Sequence, residues 1–442
     1  MKITNNIFTI PLSSFTLPEG QPKVGSGARW RGAWFFLFFM FLLACFSPKK
    51  SSPLKEGKWR GILTIVDSTG LILPFNFDLS FKNDSTTITI HNAEERIPVN
   101  EISFQGDSIF IKMPVFDSEF RCKLSGDTLM NGNWINHSRK EKNVIPFTGI
   151  YGETNRFDCP EYAEKDNYPF GGKWKCLFSP NQPDSSYAIG VFKQYAHSAT
   201  GTFLTETGDY RYLEGCLFGK YMLLSSFDGS HAFIFHAEIM EDSTIWGEFY
   251  SGIHHHETWI AWKDSTLKLR NADSLTFLKT GFSKVNFSFP SIENKKVSLS
   301  DEKYKNKVVV LQVMGSWCPN CMDETMFLSD LHNKYGSQGL EVVALAFEKS
   351  DVFEKAKNNV LRLKNRFNAN YDFLITGFSP KDADKALPML NHVMSFPTTI
   401  FIDKKGNVRK IRTGYSGPAT GNEYDKSVKE INAFVEALLK ES

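Results

Sequence analysis

The stretch "KVVVLQVMGSWCPNC", residues 307 to 321, decides the fold of the C-terminal part of this 442-residue chain. Its first seven residues form an almost unbroken apolar run, which is typical of a central strand covered on both faces. A helix is expected from about 319 to 336, with Pro319 in its first turn, where a missing backbone N–H costs nothing. Cys318 would then lie beside unpaired N–H groups and the positive end of the helix dipole, which favours its thiolate.

The second cysteine of the pair has a role of its own. Cys321 follows Cys318 by three residues, one helical turn, so it is close enough to attack a mixed disulfide formed at Cys318. We predict that Cys318 is the attacking thiol, that Cys321 is the resolving thiol, and that the two form a redox disulfide. A zinc site would need two more ligands at suitable spacing. In the histidine run "HHHE" (254 to 257) neighbours on a strand would point to opposite faces, so we predict no metal and no other cofactor.

Strands and helices alternate in the rest of the C-terminal part, and the pattern then ends in a hairpin. The expected strands are 339 to 347, 371 to 375, 398 to 403 and 408 to 414, and the expected helices are 350 to 368 and 423 to 440. This order predicts an α/β domain with a mixed sheet.

Several motifs together resemble a known family. "WCPNC" after a hydrophobic strand resembles the active site of the thioredoxin superfamily, and "SFPTTIFID" (395 to 403) resembles its cis-proline loop. "FPSIENKKVSLSD" (289 to 301), "TGYSGPATG" (413 to 421) and a glutamate after the dithiol are similar to the TlpA/ResA-like branch. The resemblance covers about 280 to 442. It implies a thioredoxin-like domain and a membrane-tethered thiol–disulfide oxidoreductase of the bacterial cell envelope.

The cis-proline loop is assigned by that resemblance. It implies that Pro397 is a cis-proline beside the dithiol and that the backbone of Phe396 pairs with a substrate chain. The alternative is a trans proline that opens an edge strand. Trp317 would flank the attacking sulfur as an apolar wall that limits access, or it would belong to the ordinary core.

The resemblance also assigns a proton acceptor. It implies that Glu324 takes the proton of Cys321 while that sulfur attacks. An acidic residue early in a helix is also stabilised by the helix dipole, which is the alternative explanation. Thioredoxins proper carry a buried aspartate six residues before the first cysteine, where this chain has Gln312, which cannot titrate. Glu324 is therefore the better candidate for proton transfer.

The region from 57 to about 270 has a different pattern. Its short alternating and β-branched runs, with frequent turn residues between them, predict an all-β region of many short strands. Several residues recur at one offset of 115, which indicates two related β units, 57 to 156 and 172 to 270, joined by a connection from 157 to 171. The matching pairs are Gly57-Lys58-Trp59 with Gly172-Lys173-Trp174, Phe120 with Phe235, Asp127 with Asp242, Gly132 with Gly247, and Trp134 with Phe249.

Four further cysteines lie in this β region: Cys122, Cys159, Cys176 and Cys216. In an oxidising compartment they allow three pairings into two disulfides. They can equally be buried free cysteines, which behave as small apolar residues. The sequence does not choose between these alternatives.

The N-terminal segment is typical of export. Arg29 and Arg31 precede "AWFFLFFMFLLACF" (33 to 46), an uncharged run too short for the roughly 20 residues that span a bilayer. "LLAC" resembles a lipoprotein lipobox, which implies a signal peptide at 1 to 45, a lipidated Cys45 and a tether at 46 to 56. A plain secretory signal or a short membrane anchor is the alternative. The mature chain would face an oxidising envelope compartment, the periplasm.

These observations predict a multidomain protein: an all-β N-terminal region of two related units and a C-terminal α/β thioredoxin-like domain. The expected partners are protein thiol and disulfide substrates, a membrane electron donor in the reductase direction, and the membrane through the lipid anchor. The net charge of +2 gives no reason to expect nucleic acid. One alternative is an envelope protein that binds a ligand or partner and in which the dithiol is auxiliary, and another is handling of copper or haem through the dithiol.

Overall fold

The computed structural model describes residues 53–82, 85–160 and 168–441. The predicted signal peptide and Cys45 lie outside these residues. In the described part of the chain, two large antiparallel sheets precede a smaller mixed sheet with helices. None of the described helices is long and apolar enough to cross a membrane.

The first sheet has nine antiparallel strands, and every neighbour in it is antiparallel. The strands are β1 Gly57–Val66, β2 Leu71–Lys82, β3 Ser85–Asn92, β4 Glu95–Val99, β5 Glu101–Gln105, β6 Ser108–Lys112, β7 Ser118–Ser125, β8 Leu129–Asn136 and β9 Val144–Tyr151. Their order is β4-β3-β2-β1-β9-β8-β7-β6-β5, so the sheet ends at β4 and β5. Buried and more exposed residues alternate along its strands, because successive side chains point to opposite faces.

The second sheet also has nine strands, and it closes on itself. The strands are β10 Gly172–Phe178, β11 Ser186–Tyr195, β12 Ser198–Thr205, β13 Gly208–Asp209, β14 Leu213–Phe218, β15 Tyr221–Phe227, β16 Ala232–Ile239, β17 Ile245–Ser251 and β18 His255–Lys263. Their order is β11-β10-β18-β17-β16-β15-β14-β12-β13, and β12 also pairs with β11. The extra pairing makes a barrel, whose interior is filled by aromatic and aliphatic side chains.

Residues at the offset of 115 occupy similar places in the two sheets. The indole Nε1 of Trp59 donates to the carbonyl of the residue four positions earlier, at 3.1 Å, and that of Trp174 does the same at 2.6 Å. Phe120 lies opposite Trp134 across β7 and β8, and the corresponding partners lie opposite each other across β16 and β17. The same interior positions are thus filled by aromatic residues in both sheets.

Arg156, in the connection after β9, ties the two sheets together. Its guanidinium is buried and donates to the carbonyl of His91, at 2.5 Å, in the first sheet. It also donates to Ser225 Oγ at 3.0 Å and to the carboxylate of Glu214 at 3.0 Å, both in the barrel. Phe227 of the barrel stacks on Phe75 of the first sheet with ring centroids 4.6 Å apart. The open first sheet therefore packs against the barrel.

The structure answers the question of the four cysteines in the β region. Cys159, in the connection, forms a disulfide with Cys216 of β14. Cys122 and Cys176 are free and buried, and burial raises the pKa of each thiol to about 12. The structure therefore shows one disulfide and two free thiols that pack as small apolar residues.

The C-terminal domain has a five-stranded mixed sheet in the order β23-β22-β21-β24-β25. A short hairpin, β19 Ser288–Pro290 and β20 Lys296–Ser298, precedes the sheet strands β21 Val308–Met314, β22 Leu340–Ala346, β23 Asp372–Ile375, β24 Thr398–Ile402 and β25 Val408–Thr413. The helices are α1 Pro319–Tyr335, α2 Phe353–Arg366, α3 Ala383–Ala386 and α4 Asn422–Lys440. β21 to β23 are parallel, and β24 and β25 run antiparallel to their neighbours. The predicted strand-rich region and mixed-sheet C-terminal domain are confirmed.

Candidate functional site

The dithiol lies where β21 passes into α1. β21 is buried along its whole length, as its apolar run predicts. Cys318 has extended backbone angles and caps the helix: its Sγ accepts a hydrogen bond from the backbone N–H of Cys321 at 3.2 Å. Pro319 is at the first helical position. Both sulfur atoms therefore lie at the helix N-terminus.

The two thiols differ in exposure. Cys318 is 7% exposed, whereas Cys321 is completely buried. Burial raises the pKa of Cys321 well above its usual value, and the neighbouring Cys318 raises it further. Cys321 therefore holds its proton until a base removes it, and Cys318 is the sulfur that solvent reaches.

The cis-proline loop lies beside the dithiol. The Phe396–Pro397 peptide bond is cis, and the Sγ of Cys318 donates to the carbonyl of Phe396 at 3.3 Å. Trp317 lies edge-on to the ring of Phe396, with centroids 5.5 Å apart. Its indole N–H donates to the carbonyl of Phe347 at 2.9 Å, so this ring is fixed in place. The structure brings together Trp317, both cysteines, Phe396 and Pro397.

Glu324 lies on the side of α1 that faces the sheet. It is only 2% exposed, and one carboxylate oxygen accepts from Gln312 Nε2 at 2.9 Å. The other accepts from the hydroxyl of Thr399. Burial raises the pKa of Glu324 to about 7, although both hydrogen bonds favour the ionised form. This carboxyl can change its protonation state near neutral pH.

Gln312 connects this carboxyl to the dithiol. Its amide N–H group also donates to the backbone carbonyl of Cys321 at 3.3 Å. Gln312 lies directly opposite Thr399 in the pairing of β21 with β24, which explains why both reach Glu324. The sequence excluded Gln312 from titration but gave no sign that it and Thr399 hold Glu324.

Sequence reasoning missed a contribution from the β region. Arg211, between β13 and β14, is buried and forms ion pairs with Glu95 of the first sheet, Asp228 of the barrel and Asp323 of α1. It also donates to the carbonyl of Pro319, between the two cysteines, at 3.3 Å. Burial alone would lower the pKa of Arg211, but the surrounding carboxylates raise it well above its usual value. A permanently charged guanidinium therefore joins the β region to the active-site helix.

Two side chains of the histidine run are paired with glutamates. His255 pairs with Glu257 at 3.1 Å and His256 with Glu248 at 3.8 Å, on opposite faces of β18. Within the described ranges, no group of three or more histidine, cysteine or acidic side chains is arranged to hold a metal ion.

The fold and this site define a class: a thioredoxin-like domain with a Cys-x-x-Cys pair at the start of the helix after a central strand. The Redoxin family profile matches residues 283–428. Thiol-disulfide oxidoreductase ResA of Geobacillus thermodenitrificans is 30% identical over 156 residues, which cover 35% of this chain and 80% of that protein. ResA of Bacillus subtilis is 27% identical over 144 residues, which cover 33% and 73%.

The solved structures include a putative thiol:disulfide interchange protein DsbE from Chlorobium tepidum. It is 23% identical and covers 37% of this chain and 99% of its own length, with a TM-score of 0.27. By the sequence relatives, the chain belongs through its C-terminal domain to the ResA family of thiol-disulfide oxidoreductases.

Proposed function

We propose that the protein exchanges thiols and disulfides with protein substrates through Cys318 and Cys321. The Cys318 thiolate attacks one sulfur of a substrate disulfide, forms a mixed disulfide and releases the other substrate sulfur as a thiol. Cys321 then attacks Cys318, the mixed bond breaks, and the second substrate thiol leaves. Two electrons pass to the substrate, and the Cys318–Cys321 disulfide returns to the dithiol by exchange with a thiol donor.

The observation that carries this proposal is the pairing of the two cysteines at the start of α1. The hydrogen bond from the Cys321 N–H to Cys318 Sγ stabilises negative charge on the attacking sulfur. The carbonyl of Phe396, 3.3 Å from the same sulfur, marks the backbone that a substrate chain would approach. We therefore assign Phe396 and Pro397 to substrate positioning and Trp317 to the wall beside the sulfur.

Glu324 is the proton acceptor in this proposal. Cys321 is buried and its pKa is raised, so its attack requires a base, and a carboxyl with a pKa of about 7 is ionised in a useful fraction at neutral pH. This role is supported by Gln312, which contacts both the Cys321 backbone carbonyl and the Glu324 carboxylate, and by the charge of Glu324, which contributes to the raised pKa of Cys321.

The test is reduction of insulin disulfides by the chain with its N-terminal segment removed at the tether. Wild type should give turnover that depends on the dithiol, and Cys318→Ser should lose it. Cys176→Ala is the matched control, since it removes a buried free thiol of the barrel and should retain turnover. Absence of dithiol-dependent turnover in wild type would favour the alternative function in ligand or partner binding.

We further propose that the protein works as a reductase. A reductase of this kind has a potential near that of thioredoxin, about −270 mV, rather than near the roughly −120 mV of a strong oxidant. Equilibration of the Cys318–Cys321 pair in dithiothreitol buffers, read by mass spectrometry, measures it. A reduction potential near that of a strong oxidant would indicate that the protein oxidises its substrates instead.

We place the protein in the bacterial cell envelope, held by a lipid on Cys45 and supplied with electrons by a membrane donor. The support is the uncharged run that ends in "LLAC". Cys45→Ala should release the protein from membranes in fractionated cells. Continued association of this variant would indicate an uncleaved anchor instead.

We also propose that the two β units, 57 to 156 and 172 to 270, arose by duplication. Read from β1 and β10, the strands follow one another in the same spatial order in both sheets. A cavity of about 490 Å³ at the mouth of the barrel borders Asn320 of the dithiol motif, which keeps a binding role for the β region as the second candidate. A ligand of that cavity would shift the melting temperature of Cys318→Ser as much as that of wild type.

A further inference from the structure

One segment of the barrel, residues 206–211, lies against the borders of the dithiol. The carbonyl of Thr207 accepts a hydrogen bond from Ser395 Oγ at 2.8 Å, next to Phe396 in the cis-proline loop. The carbonyl of Asp209 accepts from the side-chain amide of Asn320 at 3.3 Å, between the two cysteines. The segment thus contacts both the motif and the loop that face the attacking sulfur.

The same segment reaches a third border, the loop that follows β25. The carboxylate of Asp209 accepts from the backbone N–H of Gly417 at 2.6 Å. A side chain added at Gly414 would place its Cβ 2.8 to 3.0 Å from backbone atoms of Glu206 and Thr207. The first turn of α1 and two loops around the dithiol therefore meet one piece of the barrel at close range.

Ionic and polar contacts hold the segment there. Arg211, its last residue, pairs with Asp323 in the first turns of α1. Beyond the segment, Ser230 Oγ of the barrel donates to the carbonyl of Trp317 at 3.2 Å. These groups are buried or half-buried, so solvent competes weakly for the contacts.

The contacts limit access to the reactive sulfur. A disulfide can be attacked only when one of its sulfur atoms reaches bonding distance of Cys318 Sγ, and Cys318 is 7% exposed in this arrangement. A polypeptide needs open backbone on both sides of its disulfide, and the segment occupies that place on three borders. A reagent of a few atoms needs much less space.

We propose that residues 206–211 form a cover that determines which disulfides reach Cys318. Small thiol reagents and disulfides react with the covered protein, whereas polypeptide disulfides react only after the segment has left the first turn of α1 and the two loops. This inference rests on the proposed thiol–disulfide exchange, but the cover itself can be measured without turnover.

Two glycines provide a matched pair for the test. Gly414 and Gly377 both have φ of +74°, so Asn, which tolerates that conformation, causes similar backbone strain at either position. A side chain at Gly414 would strike the segment, whereas around Gly377 no atom lies within 4 Å of an added Cβ. The measurement is the rate of Cys318 alkylation, located by mass spectrometry, with iodoacetamide and with a maleimide carrying a 5 kDa polyethylene glycol.

Gly414→Asn should raise the ratio of the bulky rate to the small rate by about tenfold, because the added side chain collides with the segment and destabilises the covered form. Gly377→Asn should leave the ratio unchanged. Equal ratios of the two alkylation rates in Gly414→Asn and Gly377→Asn would contradict the proposal that the segment covers Cys318. Insulin reduction relative to reduction of a small aromatic disulfide should rise in the same variant.

Ser395→Ala gives a second route if Gly414→Asn does not fold. It removes the hydrogen bond to Thr207 and retains the Ser395 carbonyl that Thr398 uses, and it should raise the ratio by a smaller factor. Ser379→Ala, which removes a hydrogen bond to Asp382 in the same domain, is its control and should not raise it. Loss of all turnover with shifted alkylation ratios would reject the proposed exchange but keep the cover. Normal turnover with unshifted ratios would reject the cover alone.

Discussion

Two consecutive carboxylates on α1 face different regions of the molecule and serve different purposes. Glu324 faces the sheet of its own domain, where the neutral donors Gln312 and Thr399 bind its carboxylate. Asp323 faces the β region, where it shares the guanidinium of Arg211 with two further carboxylates. Burial raises the pKa of both carboxyls; neutral donors leave Glu324 able to titrate near neutral pH, whereas the guanidinium of Arg211 opposes the rise at Asp323 and holds two regions together. In the proposed mechanism, one residue thus separates proton transfer from domain attachment.

Replacing Arg211 tests the contact between the β region and α1, and it should have the largest effect on stability. Arg211→Met removes the positive charge that Glu95, Asp228 and Asp323 share, and we expect a loss of about 3–5 kcal/mol in the free energy of unfolding. Urea denaturation measures it. Arg270→Met, which breaks an exposed pair with Glu206, is the control and should change stability little. Similar losses in both variants would contradict the assignment.

The pH dependence of stability tests Glu324, the carboxyl that faces the sheet. Glu324 has a pKa of about 7 in the fold against 4.5 in the unfolded chain, so the fold favours its protonated form. That stabilisation is complete below pH 4.5 and is lost as the pH rises through 7. Glu324→Gln does not titrate, so its stability relative to wild type should rise by about 3 kcal/mol between pH 4 and pH 8. A constant difference across that range, in urea denaturation at each pH, would contradict the raised pKa.

The same substitution should slow catalysis. With no base for Cys321, we expect Glu324→Gln to reduce the rate of resolution about 100-fold, the lower range for general base catalysis. The wild-type rate should rise with pH through a midpoint near 7, and the variant should lack this step. Single-turnover release of substrate thiol from a preformed mixed disulfide measures it. Glu354→Gln, in the first turn of α2, is the control, and equal rates in all three proteins would end the proton-transfer role.

Selective labelling of the two cysteines should show the smallest effect. The pKa of Cys321 is raised and its side chain is buried, so iodoacetamide at pH 8 should label Cys318 and leave Cys321 unmodified in the native protein. In guanidinium chloride both should be labelled. Peptide mass spectrometry reads the two sites, and equal labelling in the native state would show that Cys321 is accessible.

The sheet-facing side of the site could be predicted from sequence because its parts are local. An apolar run fixes β21, and the three-residue spacing fixes Cys318 and Cys321 on one turn. Resemblance supplied Glu324 and the cis-proline loop. Thr399 was missed because its role depends on the register of β24 against β21, which hydrophobic pattern alone does not set.

The β-facing side could not be predicted in the same way. Arg211 and Asp323 are 112 residues apart, and their pairing depends on how the barrel docks on the C-terminal domain. In the sequence, Arg211 stands among turn residues and has no periodicity that would mark it as buried. The all-β region was predicted from its short strands, but closure of the second sheet requires β12 to pair with both β11 and β14, and no sequence signal marked the pairing with β14.

Arg156 determines how large a displacement the active site would require. Because this one guanidinium joins the backbone of the first sheet to side chains of the barrel, neither sheet can tilt without breaking its hydrogen bonds. Exposing Cys318 to large substrates would then require the two sheets, some 200 residues, to move together relative to the C-terminal domain, about the chain that follows β18. Such a movement has two states, so each perturbation would change the reactivity toward large substrates by a factor set by its effect on the open fraction.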